Sequence, residues 1–263
     1  MNPQRFAGRV ALITGAGTGI GRVLAIAWAR EGAQVVLGAR RRDLLEETAA
    51  LVTAAGGTAL VVPTDVAREE DCRAIVARTL ERFGRLDVLI NNAAIPGTDQ
   101  RVVEMDLENW NLTIAINLTG PMLMTREALG QAMIPQRSGN VQFMSSAAAK
   151  KIRPRKAHYA VAKMGLIPLA QTLAHEVSEH RIRVNTLVIG LVAGELVERW
   201  IQRTAGESGR SEQDVRAGLL AEIPRHSAIE PQEIADLSLY LASDAASAIT
   251  GQNINVTAGA EMR

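Results

Sequence analysis

Thr14-Gly15-Ala16-Gly17-Thr18-Gly19-Ile20-Gly21 stands directly behind a strand-length apolar run at residues 9–14 and directly ahead of an amphipathic helical pattern at residues 20–31. Glycines at such a junction let the backbone turn tightly and approach a pyrophosphate. The helix N-terminus behind them offers unpaired N–H groups and a partial positive charge. The spacing is G-x-x-x-G-x-G (Gly15, Gly19, Gly21) rather than the G-x-G-x-x-G of the general dinucleotide fingerprint, so its place between strand and helix is what marks it as a phosphate site. Outward from it the same rhythm repeats. Strand-length runs at 34–38, 59–62, 86–90, 141–144, 182–187 and 253–256 alternate with helical patterns at 41–55, 69–83, around 118–133, 159–180 and 232–242. Repeated βαβ units predict an α/β fold, a doubly wound parallel sheet of about seven strands in a single domain over residues 1–263. The strands read as nearly continuous apolar runs, as expected when helices cover both faces. After Gly190 the rhythm breaks, and residues 191–225 are expected to form a lid over the substrate.

Composition narrows the function. Hydrophobic residues at 47% and charged residues at 22% are ordinary for a globular chain. A net charge of +1 gives no global case for nucleic acid or an anionic membrane as partner. The one cysteine, Cys72, excludes an intrachain disulfide, and without a Cys/His cluster no metal is expected. No signal sequence and no run long enough to span a membrane are found, so a soluble, cytoplasmic protein is expected.

At the end of the second strand an NAD-binding chain is expected to carry a ribose-reading acid. Here Ala39 is followed by Arg40-Arg41-Arg42. Guanidinium groups suit the 2′-phosphate of NADP, so NADP(H) is favoured over NAD(H), with Arg40 the principal contact. One of only two tyrosines lies in Tyr159-Ala-Val-Ala-Lys163. On a helix that spacing puts phenol and ammonium on one face, where the positive charge is expected to lower the phenol pKa.

Thr14-Gly-x-x-x-Gly-x-Gly21, Asn91-Asn92-Ala93, Asn117, Ser145-Ser146 and Tyr159-x-x-x-Lys163, in this order, resemble the short-chain dehydrogenase/reductase family over essentially the whole chain, residues 8–259. The resemblance implies a Rossmann-type fold and a catalytic set of Asn117, Ser146, Tyr159 and Lys163. Ser146 fits the serine role better than Ser145 by its distance from Tyr159. It also implies a cofactor site made of Gly15, Gly17, Thr18, Gly19, Ile20, Gly21, Arg40, Asp65, Val66, Asn92, Tyr159, Lys163 and Val192. In the implied reaction Tyr159 protonates a carbonyl oxygen as hydride arrives, Ser146 hydrogen-bonds that oxygen, and Lys163 lowers the Tyr159 pKa and binds ribose. Asn117 holds a water connecting Lys163 to solvent. The branch most resembled contains the 3-oxoacyl-carrier-protein reductases. Its substrate is a small carbonyl or alcohol, anionic or carrier-bound. Alternatives are an NAD(P)-dependent alcohol or sugar dehydrogenase working oxidatively, and a catalytically silent dinucleotide sensor.

The departures lie at the substrate end: Ala94, Ile189-Gly190, Gly194 and Thr257-Ala258-Gly259 replace the family's common residues. The four histidines read as surface or hydrogen-bonded side chains, and Trp200 as a lid anchor or pocket wall. Pro168 should bend its helix. Apolar positions around more than one face of the helices at 118–133 and 159–180, including Met124, Leu129, Leu166 and Ala170, suggest a homotetramer or homodimer. Finally, Lys150-Lys151-Ile152-Arg153-Pro154-Arg155-Lys156 holds five like charges with no acid from 147 to 163, which is read either as a solvated loop, or one paired with acids of a neighbouring subunit, or as the approach for an anionic substrate or acidic carrier.

Overall fold

In the computed structural model, which describes residues 4–262, each strand is followed by helix, so each chain return is a crossover and every strand pairing is parallel. The elements run β1 (Val10–Thr14), α1 (Gly19–Arg30), β2 (Gln34–Ala39), α2 (Arg42–Ala54), β3 (Thr58–Pro63), α3 (Glu69–Phe83) and β4 (Val88–Asn91). A long helical run follows, with α4 (Leu107–Ile114), α5 (Gly120–Ala128) and α6 (Ile134–Gln136) joined by π-helical segments at Ala115–Thr119 and Leu129–Met133. Then come β5 (Gly139–Ser146), α7 (Ala157–Val177), β6 (Ile182–Ile189), α8 (Glu195–Ser208), α9 (Glu212–Ala221), α10 (Pro231–Ala242) and β7 (Asn253–Val256). The strand order is β3-β2-β1-β4-β5-β6-β7. The chain therefore winds outward from β1 on one side and restarts beside it with β4, and the crevice between β1 and β4 is where ligands bind in such doubly wound sheets.

Alternation along β1 sorts the core. Val10 and Leu12 face the layer of α3, α5 and α7, with Ile75, Met124 and Leu166. Ala11 and Ile13 face the layer of α1, α2 and α10, with Trp28, Leu45 and Ile234. A buried polar chain stitches the second layer to the sheet: Trp28 Nε1 donates to Ser238 Oγ (3.3 Å), which donates to Gln142 Oε1 (2.6 Å).

Three sequence expectations change. The helix expected around 118–133 begins at Leu107, where Asp106 caps it by accepting from Asn109 N–H (2.7 Å). Leu107 and Leu112 on this first stretch are exposed, so no buried stripe announced it. Second, α7 starts at Ala157 and ends at Val177 with Pro168 inside it, and Ser178–His180 form a separate turn instead of its last residues. Third, most of the apolar positions expected to seek a partner on these helices are spent inside the chain: Met124, Leu129, Leu166 and Ala170 all belong to the core. The segment 191–225 forms α8 and α9, which share a small core of Ile201, Ala205 and Val215; Trp200 packs there.

Candidate active site

The glycine turn is held from behind. Thr14 Oγ1 accepts from the N–H groups of Asn92 and Ala93 (both 3.0 Å), and Asn92 Nδ2 donates to the Thr14 carbonyl (2.9 Å), which bolts the ends of β1 and β4 together. A Cβ on Gly21 would lie 2.2 Å from the Gly15 carbonyl oxygen, and one on Gly15, at φ +68, would lie 2.9 Å from Ala93 Cα. Both positions require glycine. Gly17 sits against Leu44, whereas Gly19 faces open space. The carbonyls of the turn are drawn inward: Thr48 Oγ1 donates to Ala16 (3.0 Å) and the Arg22 guanidinium to Gly17 (2.7 Å). Among the described residues the N–H groups of Gly17 and Thr18 have no partner, Thr18 gives α1 no side-chain cap, and the first turn from Gly19 through Ile20 carries no acid. Free amides plus an uncapped helix N-terminus make a cradle for phosphate oxygens. Thr48 and Arg22 escaped the sequence reading because their role depends on α1 and α2 packing side by side.

Around the cradle, Arg40 and Arg41 follow β2 as exposed side chains with no ion pair among the described residues, while Arg42 pairs with Glu46 (3.2 Å). Asp65 Oδ1 accepts from Ala67 N–H (3.0 Å) beyond β3, and Val66 is buried beside Gly120. Val192 bridges to Ile229 after β6.

The chemistry-bearing side chains gather at the end of β5 and the start of α7. Ser145 is buried and donates to the Lys163 carbonyl (2.8 Å), pinning α7 to the strand, so it is occupied structurally. Ser146, one residue on, accepts from Ala148 N–H (3.2 Å), and its hydroxyl acts on the Tyr159 phenol. Lys163 Nζ lies 5.9 Å from the centre of the Tyr159 ring and donates to the Met144 carbonyl (2.7 Å). The two groups respond to burial in opposite directions. It pushes the phenol above its ordinary value, partly opposed by Ser146, and pulls the ammonium down to about 8, since both neutral forms are favoured where water is excluded. The expected lowering of the Tyr159 pKa by Lys163 is thus not what this arrangement gives: the ammonium serves Met144, and burial of the phenol is opposed by Ser146 alone.

Asn117 is buried in the first π segment and grips Ile95, accepting from its N–H and donating to its carbonyl (both 2.8 Å). Pro121, four residues on, has no N–H to offer the Asn117 carbonyl, which the sequence could have disclosed. His158 is fully buried rather than at the surface; burial lowers its pKa, opposed by a hydrogen bond with the Pro96 backbone. The charges of the basic loop are compensated within the chain rather than by a neighbouring subunit. Lys151 (3.0 Å) and Arg153 (3.4 Å) pair with Glu222 just beyond α9, Lys156 pairs with Asp99, and Lys150 donates to Asn255 Oδ1 (2.9 Å). Acids missing nearby in sequence arrive from elsewhere in the fold. Among the described residues no cluster of His, Cys, Asp or Glu is placed to hold a metal, and no helix is long and apolar enough to cross a membrane.

Known proteins agree with this geometry. A family model described as Enoyl-(Acyl carrier protein) reductase matches residues 15–261. The chain is 38% identical to the short chain dehydrogenase/reductase astE of Aspergillus oryzae, covering 98% of this chain and 97% of that protein. It is 34% identical to a 3-oxoacyl-[acyl-carrier-protein] reductase of Synechocystis sp., covering 97% of each. Among solved structures, NAD+-bound xylitol dehydrogenase superposes with a TM-score of 0.91 at 29% identity, over 97% of this chain and 100% of that one. An actinorhodin polyketide ketoreductase with NADPH gives 0.91 at 30% identity, over 96% and 97%. With these matches spanning nearly its whole length, the chain belongs to the short-chain dehydrogenase/reductase family, as an oxidoreductase of ketoreductase type.

Proposed function

We propose that the protein reduces a small carbonyl compound to a secondary alcohol with NADPH. The observation that carries this reading is the convergence of Ser146, Tyr159 and Lys163 at the strand ends that also form the free-amide cradle. When bound, the dinucleotide supplies hydride from its nicotinamide ring to the carbonyl carbon. Tyr159 donates the balancing proton to the carbonyl oxygen, for which its raised pKa keeps it protonated near neutrality. Ser146 gives a hydrogen bond to the same oxygen and stabilises developing negative charge. An ammonium has three donors, so Lys163 keeps two beyond its bond to Met144 for ribose hydroxyls. The Asn117 carbonyl, denied a helical donor by Pro121, accepts a water through which the proton on Tyr159 is replaced.

The unpartnered Arg40 and Arg41 favour the 2′-phosphate of NADP; Asp65, Val66, Asn92 and Val192 complete the cofactor contacts. Oxidation of an alcohol or sugar with NAD is the second reading, favoured by the likeness to xylitol dehydrogenase. A silent sensor is disfavoured by the intact catalytic side chains. The α8–α9 pair acts as the lid. Exposed Leu107, Leu112, Val161 and Met164 on α4 and α7 support a homodimer or homotetramer built on those helices. Cytoplasmic residence fits the single free cysteine. The test is a panel of ketones, acyl thioesters and sugar-type alcohols with NADPH and NADH in parallel. NADPH-dependent ketone reduction is expected, and the NADPH/NADH ratio of kcat/KM should fall about tenfold or more in Arg40→Ala, the loss of one charge-assisted contact. An unchanged ratio overturns the cofactor assignment.

A further inference from the structure

At the end of the sheet opposite the catalytic cluster, the beginnings of β1, β4, β5 and β6 and the end of α10 line a cavity of about 490 Å³ that is open to solvent, with Arg5, Arg9 and Arg181 exposed at it. Arginines dominate its wall, and their partners do not balance them. Arg5 is neutralised by Glu31. Arg9 and Arg85 share a single carboxylate, Asp87, at 3.0 Å and 2.6 Å. Arg183 is half-buried and donates to the carbonyls of Leu241, Ile249 and Ser243, with Asp244 the carboxylate acting on it. Arg181 has no side-chain partner among the described residues. Four guanidiniums, of Arg5, Arg9, Arg181 and Arg183, thus line the cavity with two carboxylates, of Asp87 and Asp244, a local excess of two positive charges in a chain whose whole net charge is +1. Two hydroxyls in the same wall, of Ser138 and Tyr240, also lack partners.

We infer that this cavity is a second ligand site, separate from the active site, for a small polyanion of the phosphate class held between Arg181, Arg9 and the hydroxyls of Ser138 and Tyr240. Paired guanidinium groups match phosphate oxygens in geometry as well as charge. The volume lies in the range of small-molecule sites and exceeds what one phosphate fills, so it takes a pyrophosphate or a phosphorylated small molecule. Arg181 is fixed in the left-handed region at φ +57 immediately after the turn Ser178–His180, which limits where its side chain can project.

The test is calorimetric titration of inorganic pyrophosphate into the full chain. Pyrophosphate also fits the glycine cradle, so Gly21→Ala, whose Cβ would lie 2.2 Å from the Gly15 carbonyl oxygen and disturb that turn, separates the sites. Binding should persist there and weaken about tenfold or more in Arg181→Asn, the loss expected for one charged contact. Asparagine tolerates the left-handed backbone, so that variant keeps the fold. Ser138→Ala should weaken binding by a smaller factor, with the melting temperature unchanged. Pyrophosphate binding that survives Arg181→Asn intact in the Gly21→Ala background, or that disappears in Gly21→Ala alone, overturns the inference.

Discussion

Replacing Lys163 by methionine separates what this residue does for the reaction from what it costs the fold. The side chain is 3% exposed, and burial pulls its pKa from 10.5 to about 8. Between those values the unfolded chain binds more protons than the folded one, so the wild-type protein gains stability from this group as pH rises. Below about 8 the full cost of burying the charge is present. At about 1.4 kcal/mol per pH unit, the wild type should gain about 2 kcal/mol on Lys163→Met between pH ~7.5 and ~9.5. For a chain of this size that corresponds to ~4–8 °C in the difference between their melting temperatures. The Met144 carbonyl loses its donor in the variant at every pH, so that cost cancels from the comparison. Calorimetric melts of both proteins at the two pH values decide it. A difference independent of pH would refute the buried, depressed ammonium on which the reasoning rests.

Tyr159→Phe should abolish turnover while leaving NADPH binding, read by nucleotide fluorescence, largely intact, whereas Lys163→Ala should damage both. Gly21→Ala forces a Cβ to within 2.2 Å of the Gly15 carbonyl, so the turn must move by about an ångström; dinucleotide affinity should fall at least about tenfold, and an unaltered Kd would contradict the cradle. Glu222→Gln releases Lys151 and Arg153 from the end of α9. These exposed pairs contribute less than about 1 kcal/mol, so the melting point should barely change while trypsin cleavage within α8–α9 accelerates. Leu112→Glu with Met164→Glu should lower the mass seen by light scattering, and a wild-type monomer at micromolar concentration would contradict the proposed assembly.

The sheet was legible because its strands are buried on both faces, which leaves continuous apolar runs such as Val10–Thr14 in the sequence. Helix α3 was equally plain, with Glu69, Glu70 and Asp71 in its first turn and Gly84 ending it in the left-handed conformation. Helix α4 was not, because its leucines face outward and periodicity reads burial rather than helicity. The order of the glycine turn, Asn92, Asn117, Ser146, Tyr159 and Lys163 was visible as a resemblance; that Lys163 turns to Met144 was not, because hydrogen-bond direction is a tertiary property. The partners of the basic loop were hidden for a related reason. Glu222 stands 71 positions from Lys151, and a loop that looks repulsive along the chain is compensated across it. His158 is the plainest case: nothing in its neighbours Ala157 and Tyr159 announces a fully buried imidazole.

The bond sequence from Trp28 through Ser238 to Gln142 bears on how the protein is made. Trp28 lies on the helix that presents the cradle, and the hydroxyl it meets is 210 residues later. On the ribosome, α1 emerges early with its α10-facing side uncovered, and it gains that cover only when α10 leaves the exit tunnel. Competence to hold a dinucleotide should therefore arrive near the end of synthesis, and a nascent chain stalled before residue 231 should present Trp28 to chaperones.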